Sequence, residues 1–206
     1  MTPGIWSEIL EGLLQTLEMT LVSTIFAYVL GLPLGVLLYC SSKGRIAENK
    51  VLNTVLGAVT NIVRSVPFLI LLVALIPFTR LIVGTSLGTT AAIVPLTVGA
   101  VPIVARMVEQ SLNEVPYGII EAAKSMGASN MQIIIHFLIP ESGPSLINGA
   151  AINLATILGY SAMAGCIGGG GLGAIALNYG YYRYQTDVLI IAIIILIIIK
   201  SFLISR

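Results

Sequence analysis

The chain has 206 residues, of which 57% are hydrophobic and only 9% are charged. Its mean hydropathy is +1.01, and so little polar surface cannot cover a water-soluble globule of this length. The composition therefore excludes a soluble protein and predicts an integral membrane protein. A net charge of +1, with no run of basic residues, also gives no reason to expect a nucleic-acid partner.

The N-terminal segment is acidic rather than basic. Glu8, Glu11 and Glu18 lie within the first twenty residues, which contain no Lys or Arg. Because a secretory signal peptide begins with positive charge, we expect the N-terminus to be mature sequence.

The first uncharged apolar run predicts a transmembrane helix from Met19 to Tyr39. Its length matches the ~20 residues that a spanning helix needs. Gly31 and Gly35 have the spacing that lets another helix approach closely. Pro33, between them, is expected to kink the helix.

Two further runs predict the second and third spans. Val51 to Thr79 is interrupted only by Arg64, and we expect its latter two-thirds to cross the membrane. Leu81 to Ala105 forms the third span and contains Pro95 and Pro102.

The C-terminal part of the chain predicts two more spans. Ser142 to Tyr182 is uncharged but too long for one helix, and its stretch Gly168 to Gly173 should end the helix and begin a re-entrant or surface loop. Only twelve residues separate Asp187 from Lys200, so the fifth run spans the membrane if Lys200 reaches an interface. The prediction is an all-α integral membrane protein with five transmembrane helices.

The basic residues predict the orientation of these spans. Six fall on one side, and Arg80 and Arg183 fall on the other. Because positive charge marks cytoplasmic loops, we expect the loop after the third span to be cytoplasmic, the N-terminus outside and the C-terminus inside. The six residues are Lys43, Arg45, Lys50, Arg106, Lys124 and Arg206.

The loop between the third and fourth spans carries the signals of two short helices. We expect Asn113 to cap the first helix, with Pro116 in its early turn. Gly127 suits a left-handed stop, and the segment from Ser129 to Gln132 has a capping-box pattern that restarts a helix through Leu138. The apolar face predicted for the first helix comprises Ile119, Ile120 and Ala123.

This loop resembles the EAA motif of the membrane subunits of bacterial ATP-binding-cassette importers. Phe137 and Ile139 depart from the motif's Ile and Leu but remain apolar. The resemblance implies that the loop docks on a separate cytoplasmic ATPase that binds ATP and Mg²⁺, so this chain would hold no cofactor and would not be an enzyme. Ala122 and Ala123 are small enough for another backbone to approach, and Glu121 is available to a cationic partner. The alternative is an amphipathic hairpin without a partner. The matching positions are Glu121, Ala122, Ala123, Gly127 and Pro140.

Other motifs fail on their context. Gly168, Gly170 and Gly173 match the dinucleotide-binding spacing, but a membrane span rather than a buried strand leads into them. The sequence contains no GxxxxGK(S/T) phosphate loop. His136 is the sole histidine and belongs to no His/Cys/carboxylate cluster, so a metal would have no ligand set.

The two cysteines are not expected to form a disulfide. Cys40 and Cys166 fall at opposite ends of different predicted spans, a separation that a disulfide cannot bridge. We expect both to be packing residues.

Polar and adaptable side chains interrupt the fourth span. Asn153, Thr156 and Tyr160 share a face at helical spacing, and a lipid-facing stripe rarely carries such residues. Met163, one turn further out, is adaptable enough to close a constriction. With Ser161, these residues form the candidate translocation pathway and gate. The alternative is that they hold helices together through hydrogen bonds.

An Arg-Ser-Val-Pro element begins at Arg64. An arginine within the membrane costs roughly 3 kcal/mol on insertion scales, so it should be compensated. The element resembles amino-acid-importing members of the same permease family. The alternative is that Arg64 only extends to the cytoplasmic headgroups.

The resemblance extends over residues 13–204, which we assign to a single transmembrane domain of the type I importer fold. Segments beginning at Ile76, Ala92, Ala105 and Gly159 are similar to the permease subunits of methionine importers. This implies a homodimer in the bacterial plasma membrane, two ATPase subunits, an extracytoplasmic methionine-binding lipoprotein, and uptake of L-methionine, with D-methionine left open. Nothing in composition or spacing selects methionine.

Three alternatives remain. One is a permease for another amino acid within the same family. A secondary carrier would need intramembrane carboxylates and paired repeats, but the carboxylates fall at predicted span ends and no repeat is visible. A non-transporting scaffold would retain no ATPase. The carboxylates in question are Glu18, Glu109, Glu141 and Asp187.

Overall fold

The computed structural model describes residues 3–204, and the regular elements within that range are all helices. Arg206, which was counted in the predicted orientation, lies outside the described residues. The α-helices are α1 (Pro3–Ser41), α2 (Lys50–Ser65), α3 (Phe68–Ala74), α4 (Ile76–Val83), α5 (Thr89–Asn113), α6 (Tyr117–Ser125), α7 (Asn130–Ile133), α8 (Ile139–Glu141), α9 (Gly143–Ala164), α10 (Gly171–Ile175) and α11 (Thr186–Ile204). Single turns of π-helix occupy Ile134–Leu138 and Ala176–Tyr181, and a 3₁₀ turn occupies Gly165–Ile167.

Four helical segments within residues 3–204 are long and apolar enough to span a membrane, by length and composition. A bent pair, α2 and α3, passes the same test when taken together and raises the number to five. The predicted all-α architecture is thereby confirmed. The four segments are Gly4–Ser41, Thr89–Asn113, Gly143–Ile167 and Thr186–Ile204.

The first span is longer than predicted. Helix α1 begins at Pro3 rather than near Met19 and continues through Glu8, Glu11 and Glu18, whose side chains are exposed. Charge ended the apolar run in the sequence, but an exposed carboxylate does not end a helix.

The second and third predicted spans had wrong limits. The run from Val51 to Thr79 is broken at Val66–Pro67, because Pro67 supplies no N–H and disfavours helical geometry in the residue before it. Its latter two-thirds is therefore not one helix. Leu81 lies in the last turn of α4 instead of starting the third span, and α4 ends at Val83 because Gly84 has a left-handed φ of 83°.

The predicted glycine-rich end of the fourth span is confirmed. Helix α9 stops at Ala164, and α10 begins after a turn in which Gly170 has a φ of 79°. The first N–H groups of α10 are bonded by α1: the Gly171 N–H donates to Gln15 Oε1 (2.8 Å) and the Leu172 N–H to Thr16 Oγ1 (2.9 Å). These bonds satisfy donors that a helix start leaves unpaired.

The fifth span is confirmed and is longer than the sequence suggested. Helix α11 covers 19 residues, with Lys200 inside it and exposed.

The contacts divide the chain into two compact units. The first contains the segments up to Phe26, Val66–Ala100 and from Ala151 onward, and the second contains Ala27–Ser65 and Val101–Ala150. The core of the first unit is one cluster of Met19, Phe68, Leu72, Ala92, Leu96 and Ala164 and a second cluster of Ile9, Leu172 and Val188.

In the second unit, the predicted close-packing face of α1 meets α5. A Cβ at Gly31 would lie 2.8 Å from Val104, and one at Gly35 would lie 2.5 Å from the carbonyl oxygen of Ala105. Neither position has room for a side chain. The prediction from the Gly31 and Gly35 spacing is confirmed.

A substitution at Gly35 tests this contact. Helix propensity alone would make Gly35→Ala stabilising by about 1 kcal/mol, but overpacking against Ala105 should make it destabilising by about 1–3 kcal/mol. Gly4→Ala in the same helix is the control, because a Cβ at Gly4 meets nothing within 4 Å. Thermal unfolding in detergent should give opposite signs for the two variants, and equal stabilisation would contradict the packing.

Candidate functional site

The first helix of the candidate site, α6, begins differently from the prediction. Pro116 occupies the position before α6, and no side chain caps the helix. Asn113 is instead the last residue of α5; its Nδ2 donates to the Glu109 carbonyl (2.8 Å) and its Oδ1 accepts from Arg45 (2.7 Å). The predicted cap was wrong because the Asn113 side chain is already bonded to α5 and to Arg45.

Helix α6 packs one face against the rest of the second unit and leaves the opposite face exposed. Ile120 and Ala123 are fully buried and Ile119 is partly buried, which confirms the predicted apolar face. Glu121 and Ala122 are exposed. Of the two small alanines, only Ala122 is therefore open to the approach of another backbone.

The turn after α6 depends on the backbone of Gly127. Its φ is 78°, and two bonds close the helix: the Ala128 N–H donates to the Ala123 carbonyl (3.0 Å), and the Gly127 N–H donates to that of Lys124 (2.9 Å). This pair is the Schellman motif. A Cβ at Gly127 would meet nothing within 4 Å, so the requirement for glycine comes from the left-handed conformation and not from space.

The predicted capping box begins the second helix, α7. The Gln132 N–H donates to Ser129 Oγ (3.4 Å), and the Ser129 N–H donates to Gln132 Oε1 (2.8 Å). The helix continues through the π-turn to Leu138, as expected, with Ile133 and Leu138 buried. Pro140 lies in the short α8 and is exposed.

The surface between α6 and α7 contains an open hollow of about 380 Å³. Met126, which lines the hollow, is 71% exposed, and Met131 on α7 is 65% exposed. An exposed rim of flexible apolar side chains suits contact with a partner. The hollow is lined by Met126, Gly127, Ala128, Gln132, His136 and Phe137.

Arg106, counted in the sequence as a loop cation, lies inside α5. Its Nη1 pairs with Glu109 (2.7 Å), and its Nη2 donates to the Gly57 carbonyl (3.2 Å) and to Asn61 Oδ1 (3.0 Å). These bonds tie α5 to α2. The i, i+3 spacing of Arg106 and Glu109 was the available signal, but the partners on α2 could not be inferred from the sequence.

Arg64 lies in the last turn of α2, and its side chain is exposed. It makes no hydrogen bond or ion pair with residues 3–204. This position agrees with the alternative in which the side chain extends to its surroundings.

The candidate pathway residues of α9 do not share one surface. Met163 is 46% exposed and Thr156 is partly buried, whereas Asn153 and Ser161 are 3% and 1% exposed. Tyr160 stacks on Phe68, with ring centroids 4.2 Å apart. Asn153, Tyr160 and Ser161 therefore take part in packing within the chain, while Met163 faces outward.

Neither cysteine is in a disulfide. Cys40 is buried, as expected for packing, but Cys166 is exposed, so that prediction was wrong for Cys166 within this chain. Across the described residues, no group of three or more His, Cys, Asp or Glu side chains could hold a metal.

The model of the family described as "binding-protein-dependent transport system inner membrane component" matches residues 31–206. The chain belongs to this family. It is thus a multi-pass transport subunit of a bacterial inner membrane and not an enzyme.

Named relatives match most of the chain. The probable D-methionine transport system permease protein MetI of Pasteurella multocida (strain Pm70) is 54% identical over 199 residues, which cover 97% of this chain and 92% of that protein. The D-methionine transport system permease protein MetI of Escherichia coli (strain K12) is 55% identical over 163 residues, 79% of this chain and 75% of that protein.

Solved structures agree with these relatives. A crystal structure of inward-facing conformations of the MetNI methionine ABC transporter matches with a TM-score of 0.97 and 50% identity, over 98% of this chain and 94% of that chain. This match gives the fold as that of type I importer permeases. An amino acid ABC transporter crystallised with histidines has a TM-score of 0.78 at 21% identity, over 96% of this chain and 89% of that one, which supports the fold alone.

The capping box can be tested by hydrogen exchange. Ser129→Ala removes the acceptor of the Gln132 N–H, and losing such a cap costs about 1 kcal/mol, so amides of residues 130–133 should exchange about fivefold faster. Ser125→Ala is the control, because its hydroxyl bonds only the Glu121 carbonyl within α6 (2.9 Å). Equal exchange in the two variants would show that the cap does not hold α7.

Proposed function

We propose that this chain is the permease subunit of an ATP-driven methionine importer. The observation that carries the proposal is the 0.97 TM-score to the MetNI methionine transporter over 98% of the chain at 50% identity. The MetI relatives support the same substrate, and their names include D-methionine. Uptake of both L- and D-methionine is therefore part of the proposal.

The proposed partners follow from the same relatives. Two copies of this chain form the pathway, two separate ATPase subunits bind ATP and Mg²⁺, and an extracytoplasmic lipoprotein delivers methionine. Residues 13–204 form the single transmembrane domain, with the N-terminus outside and the C-terminus in the cytoplasm. The family's description as binding-protein-dependent supports the delivery protein.

The EAA-like loop is the proposed contact with the ATPase. Glu121 and Ala122 are exposed on α6, and Gly127 sets the angle at which α7 leaves it. Ala123 and Pro140 keep their places in the motif, but Ala123 acts from inside because its side chain is buried. Movement of the ATPase would reach α5 through the short connection between Asn113 and Tyr117.

Labelled-methionine uptake tests the proposed function. Proteoliposomes that contain this chain, its ATPase and its binding protein should take up labelled methionine only when ATP is present on the membrane side that carries the ATPase. Unlabelled L- and D-methionine should each compete with this uptake. Omission of the binding protein is the control. Uptake driven by an ion gradient without ATP would indicate a secondary carrier, and competition by a different amino acid alone would replace methionine as the substrate.

The proposed gate makes a separate prediction. In a symmetric dimer a residue on the axis meets its own copy, so Met163→Cys should crosslink between subunits without nucleotide and lose the crosslink when ATP opens the pathway outward. The variant needs a Cys166→Ser background, since Cys166 is exposed. Products are resolved on non-reducing gels.

The matched control for the gate is Ala164→Cys, one residue away and fully buried. If Ala164→Cys crosslinks while Met163→Cys does not under either condition, the pathway follows another face of α9. Asn153, Thr156, Tyr160 and Ser161 would then hold helices together rather than line the pathway.

A further inference from the structure

A hollow of about 270 Å³ lies where α1 ends and α2 begins, within the second unit. Helix α1 ends at Ser41, the limit of the first membrane-spanning segment, and α2 starts at Lys50. The hollow is therefore at a boundary between apolar and polar sequence. It is lined by Ser41, Lys43, Glu48, Lys50, Asn53 and Thr54.

The lining combines polar side chains held by hydrogen bonds with two lysines that form no ion pair. Asn53 Nδ2 donates to the Leu38 carbonyl (2.8 Å) and to Ser41 Oγ (3.2 Å), which holds α2 against α1. Among the described residues the one ion pair is that of Arg106 with Glu109, so neither lysine is paired.

Glu48 is the opposing charge in the lining. One of its oxygens accepts the Gly44 N–H (2.8 Å). The two lysines and one carboxylate leave an excess positive charge, which favours an anionic ligand.

An exposed apolar stripe leads away from the hollow along α2. Val51, Val55, Val59 and Ile62 are 74%, 54%, 56% and 66% exposed and recur at helical spacing. Lys50 and Thr54 in the lining directly precede Val51 and Val55, so the stripe starts at the edge of the hollow. Its eleven residue steps of ~1.5 Å give roughly 17 Å, close to the ~15 Å of one hydrocarbon leaflet.

We propose that this hollow binds the phosphate of one anionic phospholipid, whose acyl chain lies along the stripe on α2. Basic pockets at the ends of transmembrane helices suit such headgroups. A free phosphate ion would use the lysines but not the stripe, so the apolar contact favours the lipid. The proposal does not depend on the transported substrate.

Lipid titration in nanodiscs tests the site. The full chain is placed in zwitterionic phosphatidylcholine discs, and phosphatidylglycerol binding is measured by native mass spectrometry. Lys43→Gln and Lys50→Gln should each weaken binding about fivefold, the effect of roughly 1 kcal/mol per interfacial cation. Glu48→Gln should strengthen it. Lys200→Gln, an exposed lysine on α11, is the matched control and should change nothing.

A second arm separates the lipid from a free ion. Val55→Thr and Val59→Thr keep the side-chain shape and should weaken phosphatidylglycerol binding while the two lysines remain. Equal phosphatidylglycerol affinity in the wild type and both lysine variants would overturn the proposal. So would equal competition by inorganic phosphate at the concentration of the lipid, since the site would then hold an ion without the apolar contact.

Discussion

The constraint on which this structure depends is that a membrane offers no water to backbone N–H and carbonyl groups. Every described element is a helix for that reason, and at two of the interruptions another segment supplies substitute hydrogen bonds. The start of α10 is bonded by Gln15 and Thr16 of α1. The Gly88 N–H donates to the Gly168 carbonyl (2.8 Å) where α5 starts. Specific hydrogen bonds between segments therefore stabilise these two interruptions.

The interruption between α6 and α7 is the one at which we propose that the ATPase docks. Between α6 and α7 the chain reverses through the Schellman motif at Gly127 and the capping box at Ser129. Both turns pair their backbone groups internally, so the two short helices keep a fixed angle without help from a partner. In the proposed complex, a fixed angle would let a docked ATPase move the loop as a unit.

Behind the loop, polar bonds connect the elements of the second unit. Arg106 joins α5 to α2 through Gly57 and Asn61. Arg45 reaches Asn113 at the end of α5 and stacks over the Tyr39 ring at 4.7 Å. An arginine that left water without such partners would be costly, and here each cation links two segments of the unit.

Local patterns predicted local structure well. The capping box, the left-handed Gly127 and the close approach at Gly31 and Gly35 each depend on a few adjacent residues or one helix face, and each is confirmed. Hydropathy predicted the spans but not their limits, because an apolar run does not record the break that Pro67 makes. The burial of Asn153 and the bonds of Arg106 depend on which helices pack together. A single sequence does not reveal that packing.

We propose that the left-handed backbone conformation at Gly127 couples the ATPase to the membrane helices. The direct measurement is methionine uptake per ATP hydrolysed for Gly127→Ala and Gly118→Ala in the same proteoliposomes. Both place one methyl group in open space, but only Gly127 has a positive φ, so alanine costs about 1–2 kcal/mol there alone. We expect a several-fold lower ratio for Gly127→Ala and an unchanged ratio for Gly118→Ala. Equal ratios in both variants would contradict it.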